Sequence, residues 1–195
     1  MTGTEARALV GVYQRGEVEP TDAELDLALG LVDPHAARVD LPPHAATPYA
    51  ICRGLFEALP LRAEDVVLDL GSGTGRVVVY GALVSEACFV GVEIVEERAK
   101  DSADAALRLG LDRVSIVTGD VLDPALAPLF DRATVFYAFR PFSDEMEQRV
   151  FAAVNAQGAQ RRVTVATHRI RPRCLDPELF ACVSSGALAI HRSRG

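Results

Sequence analysis

The stretch Val66-Val67-Leu68-Asp69-Leu70-Gly71-Ser72-Gly73-Thr74-Gly75-Arg76 constrains the fold more than any other part of this 195-residue chain. A short apolar run of this kind marks a strand buried on both faces, as in a parallel sheet. It passes directly into three glycines spaced two apart, which let the backbone turn tightly and approach a ligand closely. A helical stretch leaves the turn. Its first free N–H groups and the positive end of its dipole face whatever anionic group lies there. A dinucleotide fingerprint beginning at Gly71 needs glycine at position 76, where Arg76 stands, so a nicotinamide dinucleotide is disfavoured.

The rest of the chain alternates around this turn. Residues 4–15 and 21–32 read as two short helices, the second capped by Thr21 and Asp22. Residues 33–48 hold Pro34, Pro42, Pro43 and Pro48 and read as an ordered loop. Thr47 is expected to cap the next helix with Pro48 in its first position; Ile51, Leu55, Phe56 and Leu59 form its apolar face. Beyond residues 66–70, strands are expected at 88–94, 114–120, 133–139 and 162–168. Helices are expected at 75–86, 96–109 and 144–154, Gly110 ending the second of these. The last stretch reads as a hairpin around Gly186. This order implies an α/β, Rossmann-like three-layer sandwich: a mostly parallel seven-stranded sheet with an antiparallel C-terminal edge hairpin. Residues 46–195 would form that domain, and residues 1–45 a helical extension or lid with Tyr13 and the Pro-rich loop near the ligand.

Composition narrows the partners. Apolar residues make up 49 % and charged residues 24 %, as in an ordinary globular domain. The net charge of −7 gives no general attraction to nucleic acid. From Gln157 onward, seven arginines face Asp176 and Glu178. A solvated edge strand and loop account for them, and a docking face for an acidic partner is the sharper alternative. The four cysteines form no CxxC pair, so neither a metal site nor a disulfide framework is expected. Cys52 and Cys88 read as core fillers, and reduced thiols suit a cytoplasmic protein. The opening MTGTEARALV does not read as a signal peptide, and no run is apolar enough to suggest a membrane span.

Three acids stand at the expected ends of three successive strands, the edge at which open α/β sheets bind ligands. Asp69 precedes the first glycine by two residues. A carboxylate there repels a pyrophosphate but suits an ammonium group, such as the one S-adenosylmethionine carries beside its carboxylate and sulfonium. Glu93 follows Gly75 by 18 residues, near the separation at which an acid reaches ribose hydroxyls. Asp120, followed by Val121, can accept from an adenine amino group.

The set Asp69 to Gly75, Gly91-Val92-Glu93 and Gly119-Asp120 resembles class I S-adenosylmethionine-dependent methyltransferases over roughly residues 44–195. The resemblance implies that Gly71, Ser72, Gly73 and Gly75 hold the methionine part and Asp69 its amino group. It implies that Glu93 holds the ribose, and Asp120 with Val121 the adenine. His44 to Tyr49 and Val135 to Phe142 are similar to segments of the small single-domain protein-lysine methyltransferases and, more distantly, of the non-SET histone-lysine methyltransferase. That likeness assigns Thr47 to the methionine carboxylate, and Tyr137, Phe139 and Pro141 to the methyl-acceptor channel, with Tyr137 as the catalytic candidate. Phe136 and Tyr137 replace a paired asparagine of the histone enzyme. His44 and His168 are possible bases, although a lone histidine is more often structural. The implied acceptor is an amine of a protein or peptide. The alternatives are small-molecule O- or N-methylation and binding of S-adenosylmethionine without catalysis.

Overall fold

The computed structural model describes residues 1–38, 40, 45–139, 142–169 and 174–194. Seven strands are found among them: β1 (Val66–Leu70), β2 (Cys88–Glu93), β3 (Val114–Thr118), β4 (Val135–Phe139), β5 (Thr164–His168), β6 (Phe180–Ser184) and β7 (Leu188–Ser193). They form one sheet in the order β3-β2-β1-β4-β5-β7-β6. The first five run parallel, and β7 lies antiparallel between β5 and β6. The expected parallel sheet with a C-terminal hairpin is therefore present.

The helices are α1 (Gly3–Gln14), α2 (Asp22–Leu29), α3 (Tyr49–Ala58), α4 (Arg76–Val84), α5 (Glu96–Arg108), α6 (Ala127–Arg132) and α7 (Asp144–Gln160). Side chains alternate along β1: Val67 packs with α1, α3, α4 and α5, whereas Leu68 and Leu70 pack with α6 and α7. Each buried aliphatic side chain contributes roughly 1.5–3 kcal/mol relative to exposure, which explains why β1 needs apolar residues on both faces. Strand order reverses at β1, with β2 on one side and β4 on the other. The helices that follow β1 and β4 lie on opposite faces, and a crevice opens beyond the strands' carboxyl ends.

Several boundaries differ from expectation for identifiable reasons. Helix α2 spans Asp22–Leu29 because Gly30 turns left-handed at φ 72° and stops it; Thr21 and Glu24 cap it reciprocally. Helix α3 begins at Tyr49 with Pro48, not Thr47, at the cap. Helix α7 continues to Gln160 although its tail lacks an apolar period. There Asn155 donates to the Cys174 carbonyl at 2.7 Å and accepts from the Asp176 N–H at 3.1 Å, and a Cβ on Gly158 would fall 2.4 Å from the Phe180 ring. A 3-10 turn (Pro124–Leu126) and α6 were not anticipated from a stretch carrying two prolines. Each proline stands in a first helical turn, where no N–H is required.

The N-terminal helices share the main core. Ala6, Val10, Tyr13, Leu25, Leu29 and Leu31 are buried with the residues of α3 and α4. Tyr13 packs edge-on against Tyr80 and lies beneath the Arg53 guanidinium. Of the cysteines, Cys52 is buried in this core and Cys88 is half-buried. No helix among the described residues is long and apolar enough to cross a membrane.

Candidate active site

Strand β1 carries Asp69 to the carboxyl edge of the sheet, on the face that Val67 shares with α3 and α4. Gly71, Gly73 and Gly75 then adopt φ of 87°, 56° and 87°, left-handed conformations that glycine takes without steric cost. At Gly75 the need for glycine is doubled, because a Cβ would fall 2.0 Å from Ser102 Oγ on α5.

The loop hangs from β2. The N–H groups of Gly71 and Ser72 both donate to the Val92 carbonyl at 2.9 Å. Gly73 N–H donates to Glu93 Oε2 at 2.8 Å, and Val95 N–H to Glu93 Oε1 at 2.9 Å. Each Glu93 oxygen thus holds one backbone donor and keeps acceptor capacity for another, such as a sugar hydroxyl. Gly119 N–H donates to the Glu93 carbonyl at 2.9 Å and brings the turn after β3 alongside. Asp120 lies on this turn, two residues past the end of β3 rather than at the strand end. It is exposed, and its carboxylate accepts from Leu122 N–H at 2.9 Å. Val121 is buried beneath it among residues of the second face.

Asp69 is different. It is 3 % exposed, and no donor among the described residues reaches its carboxyl. Burial, reinforced by the Glu93 charge, raises its pKa from 3.8 to about 8. Ser72 Oγ is also buried without a partner. Such groups in a native structure call for an explanation, and a ligand that satisfies them is one. Both line a narrow cavity of about 20 Å³ together with Thr47, Gly71, Tyr137 and Phe139. A ligand presenting an ammonium to Asp69, a carboxylate to the loop and the start of α4, and hydroxyls to Glu93 fits these donors and acceptors.

Tyr137 is the register partner of Asp69 on the neighbouring strand. Its buried hydroxyl lies 3.0 Å from Thr47 Oγ1, so Thr47 serves this pair instead of capping α3. Burial raises the phenol pKa, and it stays protonated at neutral pH. Phe139, two residues further, forms the outer wall of the same cavity. Pro141 and His44 lie outside the described residues. His168 ends β5 beside Phe139.

Arg76 was read from sequence only as the residue that spoils a dinucleotide fingerprint. The structure makes it a hub. Its guanidinium binds the Asp26 carboxylate through Nε at 2.8 Å and also through Nη2, donates to Asp22 Oδ2 at 2.9 Å, and donates to the Thr47 carbonyl at 3.1 Å. It also lies 4.9 Å over the Tyr49 ring. The available signal was Asp22 and Asp26, four residues apart on one helix and hence on one face.

A larger cavity of about 560 Å³ lies at the opposite edge, lined among others by Arg62, Asp65, Thr134 and Arg192. Its acid is already satisfied, because Asp65 accepts from Thr134 Oγ1 and from the Arg62 N–H, both at 2.8 Å. The smaller cavity instead sets the buried Asp69 beside the unpartnered Ser72 Oγ.

Comparison with known proteins agrees with this geometry. A family profile describing a methyltransferase domain matches residues 67–161. Over 85 residues the chain is 34 % identical to a protein-lysine N-methyltransferase of Saccharolobus islandicus, a stretch covering 42 % of this chain and 52 % of that protein. The match thus spans about half the length of this curated relative. Among solved structures, the chain is similar to an RNA methyltransferase from Salinibacter ruber in complex with S-adenosyl-L-homocysteine (TM-score 0.61, 24 % identity, 76 % of this chain and 92 % of that one). It is also similar to TrmN from Thermus thermophilus (TM-score 0.58, 20 % identity, 77 % and 50 %). At these identities the structural likenesses establish the fold.

Proposed function

We propose that this chain is a class I S-adenosylmethionine-dependent methyltransferase and that it transfers the methyl group of S-adenosylmethionine to an amine nitrogen of a protein or peptide. The observation that carries the acceptor class is the wall formed by Tyr137 and Phe139 beside Asp69. An ammonium cannot attack a methyl carbon until it loses a proton, and a water-poor aromatic wall favours the neutral amine. The 34 % identity to a protein-lysine N-methyltransferase over 85 residues points the same way.

S-adenosylmethionine, when bound, supplies a methyl carbon activated by its sulfonium. Asp69 then pairs with the amino group, while Thr47, Ser72 and the N–H groups at the start of α4 receive the carboxylate. Glu93 accepts from the ribose, and Asp120 with Val121 holds the adenine. Tyr137 orients the acceptor nitrogen through its hydroxyl. Helix α2 acts as a brace: it holds Arg76, Arg76 holds the Thr47 carbonyl, and Thr47 holds Tyr137. Alignment of donor and acceptor at near contact supplies much of the acceleration in such a displacement.

The test is transfer of labelled methyl groups into a cell lysate, counted separately in protein and in small molecules. Label in protein as an acid-stable methylated amine supports the proposal. Label confined to small molecules, or binding of S-adenosylmethionine without transfer to either fraction, refutes it.

A further inference from the structure

His168 is 3 % exposed, and its imidazole takes no part in the chemistry described so far. Nδ1 lies 2.7 Å from the carbonyl oxygen of Ala187. A carbonyl only accepts, so Nδ1 carries the proton, and the neutral ring presents a lone pair at Nε2. That Nε2 is buried and has no hydrogen-bond partner among the described residues.

Its position gives the lone pair a use. His168 is the register partner of Phe139, and Tyr137 is that of Asp69. Register partners on parallel strands present their side chains to the same face, so the four residues step across β1, β4 and β5 along one face of the sheet. The Phe139 and His168 rings are 4.6 Å apart between centroids. With the donor's amino group at Asp69, the acceptor side of the cavity is the one walled by Tyr137 and Phe139, and His168 lies against Phe139.

We propose that His168 is the proton acceptor of the reaction, taking a proton at Nε2 from the acceptor nitrogen before that nitrogen attacks. This rests on the amine reading above. The acceptor ammonium gives one proton to Nε2, and the freed lone pair forms the nitrogen–carbon bond. The carbon–sulfur bond breaks with its electron pair remaining on sulfur, which becomes neutral. The imidazolium passes its proton to water, and the product leaves as a methylated ammonium.

The electrostatics agree with the role. Burial lowers the His168 pKa below the ordinary 6.5; the Ala187 carbonyl opposes this and the Arg169 charge adds to it. The imidazole is therefore neutral at pH 7, as a base must be. Strand β4 presents Phe139 to it, β7 presents Leu188 and the residue before β7 the Ala187 carbonyl, while Arg169 is the charged group that acts on it among the described residues.

Two measurements test the assignment. Nitrogen-15 spectra of the labelled imidazole should show Nδ1 protonated, Nε2 bare and a titration below 6.5; the opposite tautomer overturns the proposal. The second uses His168→Asn, which keeps a donor for Ala187 but offers no base at Nε2, and His168→Gln. Both should bind S-adenosylmethionine by calorimetry within about twofold of the wild type. Methyl label entering lysate protein and small molecules is then followed from pH 6 to 10. Wild-type transfer should rise through the imidazole pKa and level off. The variants should fall about 10²–10⁴-fold at pH 7 and recover about tenfold per pH unit as free amine accumulates. Variants that keep the wild-type pH profile overturn the role. Label appearing only in small molecules refutes the protein acceptor, and the same profile read in that fraction still decides the role of His168.

Discussion

Replacing Asp69 by asparagine should stabilise the unliganded protein while weakening its hold on the methyl donor. In the folded chain the Asp69 pKa is raised from 3.8 to about 8 by burial and by Glu93. A raised pKa means that the folded state binds the proton more tightly than the unfolded chain does. Stability is therefore greatest below pH 4 with respect to this group, and it is lost as pH rises toward 8. At pH 7 the carboxyl must be protonated about three units above its ordinary value, at about 1.4 kcal/mol per unit, a cost of about 4 kcal/mol. The amide of asparagine avoids that cost but buries donors without partners, which returns about 1–3 kcal/mol. The net gain is then about 1–3 kcal/mol, or several degrees of melting temperature in a chain of this size. Urea unfolding of both proteins at pH 4, 6 and 8 measures it. The advantage of Asp69→Asn should be absent or reversed at pH 4 and largest at pH 8. Calorimetry at pH 8.5 should show S-adenosylmethionine binding about 10–100-fold more weakly. A variant no more stable than wild type at pH 8, or a stability difference that ignores pH, refutes the claim that an unpaired buried acid waits at this position.

Other outcomes follow from the same contacts. The Asp69 carboxyl must lose its proton to face an ammonium, so the dissociation constant of S-adenosylmethionine should fall about tenfold per unit from pH 6 to 8 and then level; calorimetry in buffers of different ionisation enthalpy should count about one proton released at pH 6.5. Arg76→Ala takes the guanidinium from the half-buried Asp26, which keeps the Tyr49 hydroxyl at 3.0 Å, and should cost about 1.5–3 kcal/mol in chemical denaturation, whereas Arg62→Ala, at a pair 3.7 Å apart and largely exposed, should cost under about 1 kcal/mol. Gly75→Ala places a methyl against Ser102 at a left-handed φ and should lower the melting temperature by several degrees, with loss of cofactor binding as the loop shifts. Tyr137→Phe removes the hydroxyl 3.0 Å from Thr47 Oγ1 and should lower methyl transfer by tenfold or more; full activity would show that the hydroxyl orients nothing.

The sheet was legible in the sequence because its signals are local. An apolar run of five residues, a glycine turn and a helical stretch repeat often enough to fix the order of elements, and β1 falls on the residues expected. The acids were legible for the same reason, as each stands close to a strand end. What escaped depends on partners distant along the chain. The tail of α7 is held by Asn155 against residues 174 and 176, and its own composition gives no hint of this. Thr47 carries every mark of a helix cap, yet its hydroxyl finds Tyr137, 90 residues away. Arg76 looked like a missing glycine because its meaning lies in Asp22 and Asp26, 54 and 50 residues earlier.

The division of labour between Asp69 and Glu93 follows from where the loop directs its donors. Both acids are buried at the same edge of the sheet, and a pairwise view would give them equivalent roles. The glycine turn donates Gly73 N–H to Glu93, and the turn after β2 adds Val95 N–H, so Glu93 helps to hold the loop in shape before any ligand arrives. Nothing among the described residues is donated to Asp69. The same backbone path therefore builds one acid into the architecture and gives the other no backbone donor among the described residues. A variant that loosened the loop, such as Glu93→Gln, should on this argument disturb the Asp69 region as well. Backbone amide exchange at Gly71 to Gly75 should accelerate in Glu93→Gln and remain unchanged in Asp69→Asn; equal acceleration in both would mean that the two carboxylates do not differ in the way their hydrogen bonds indicate.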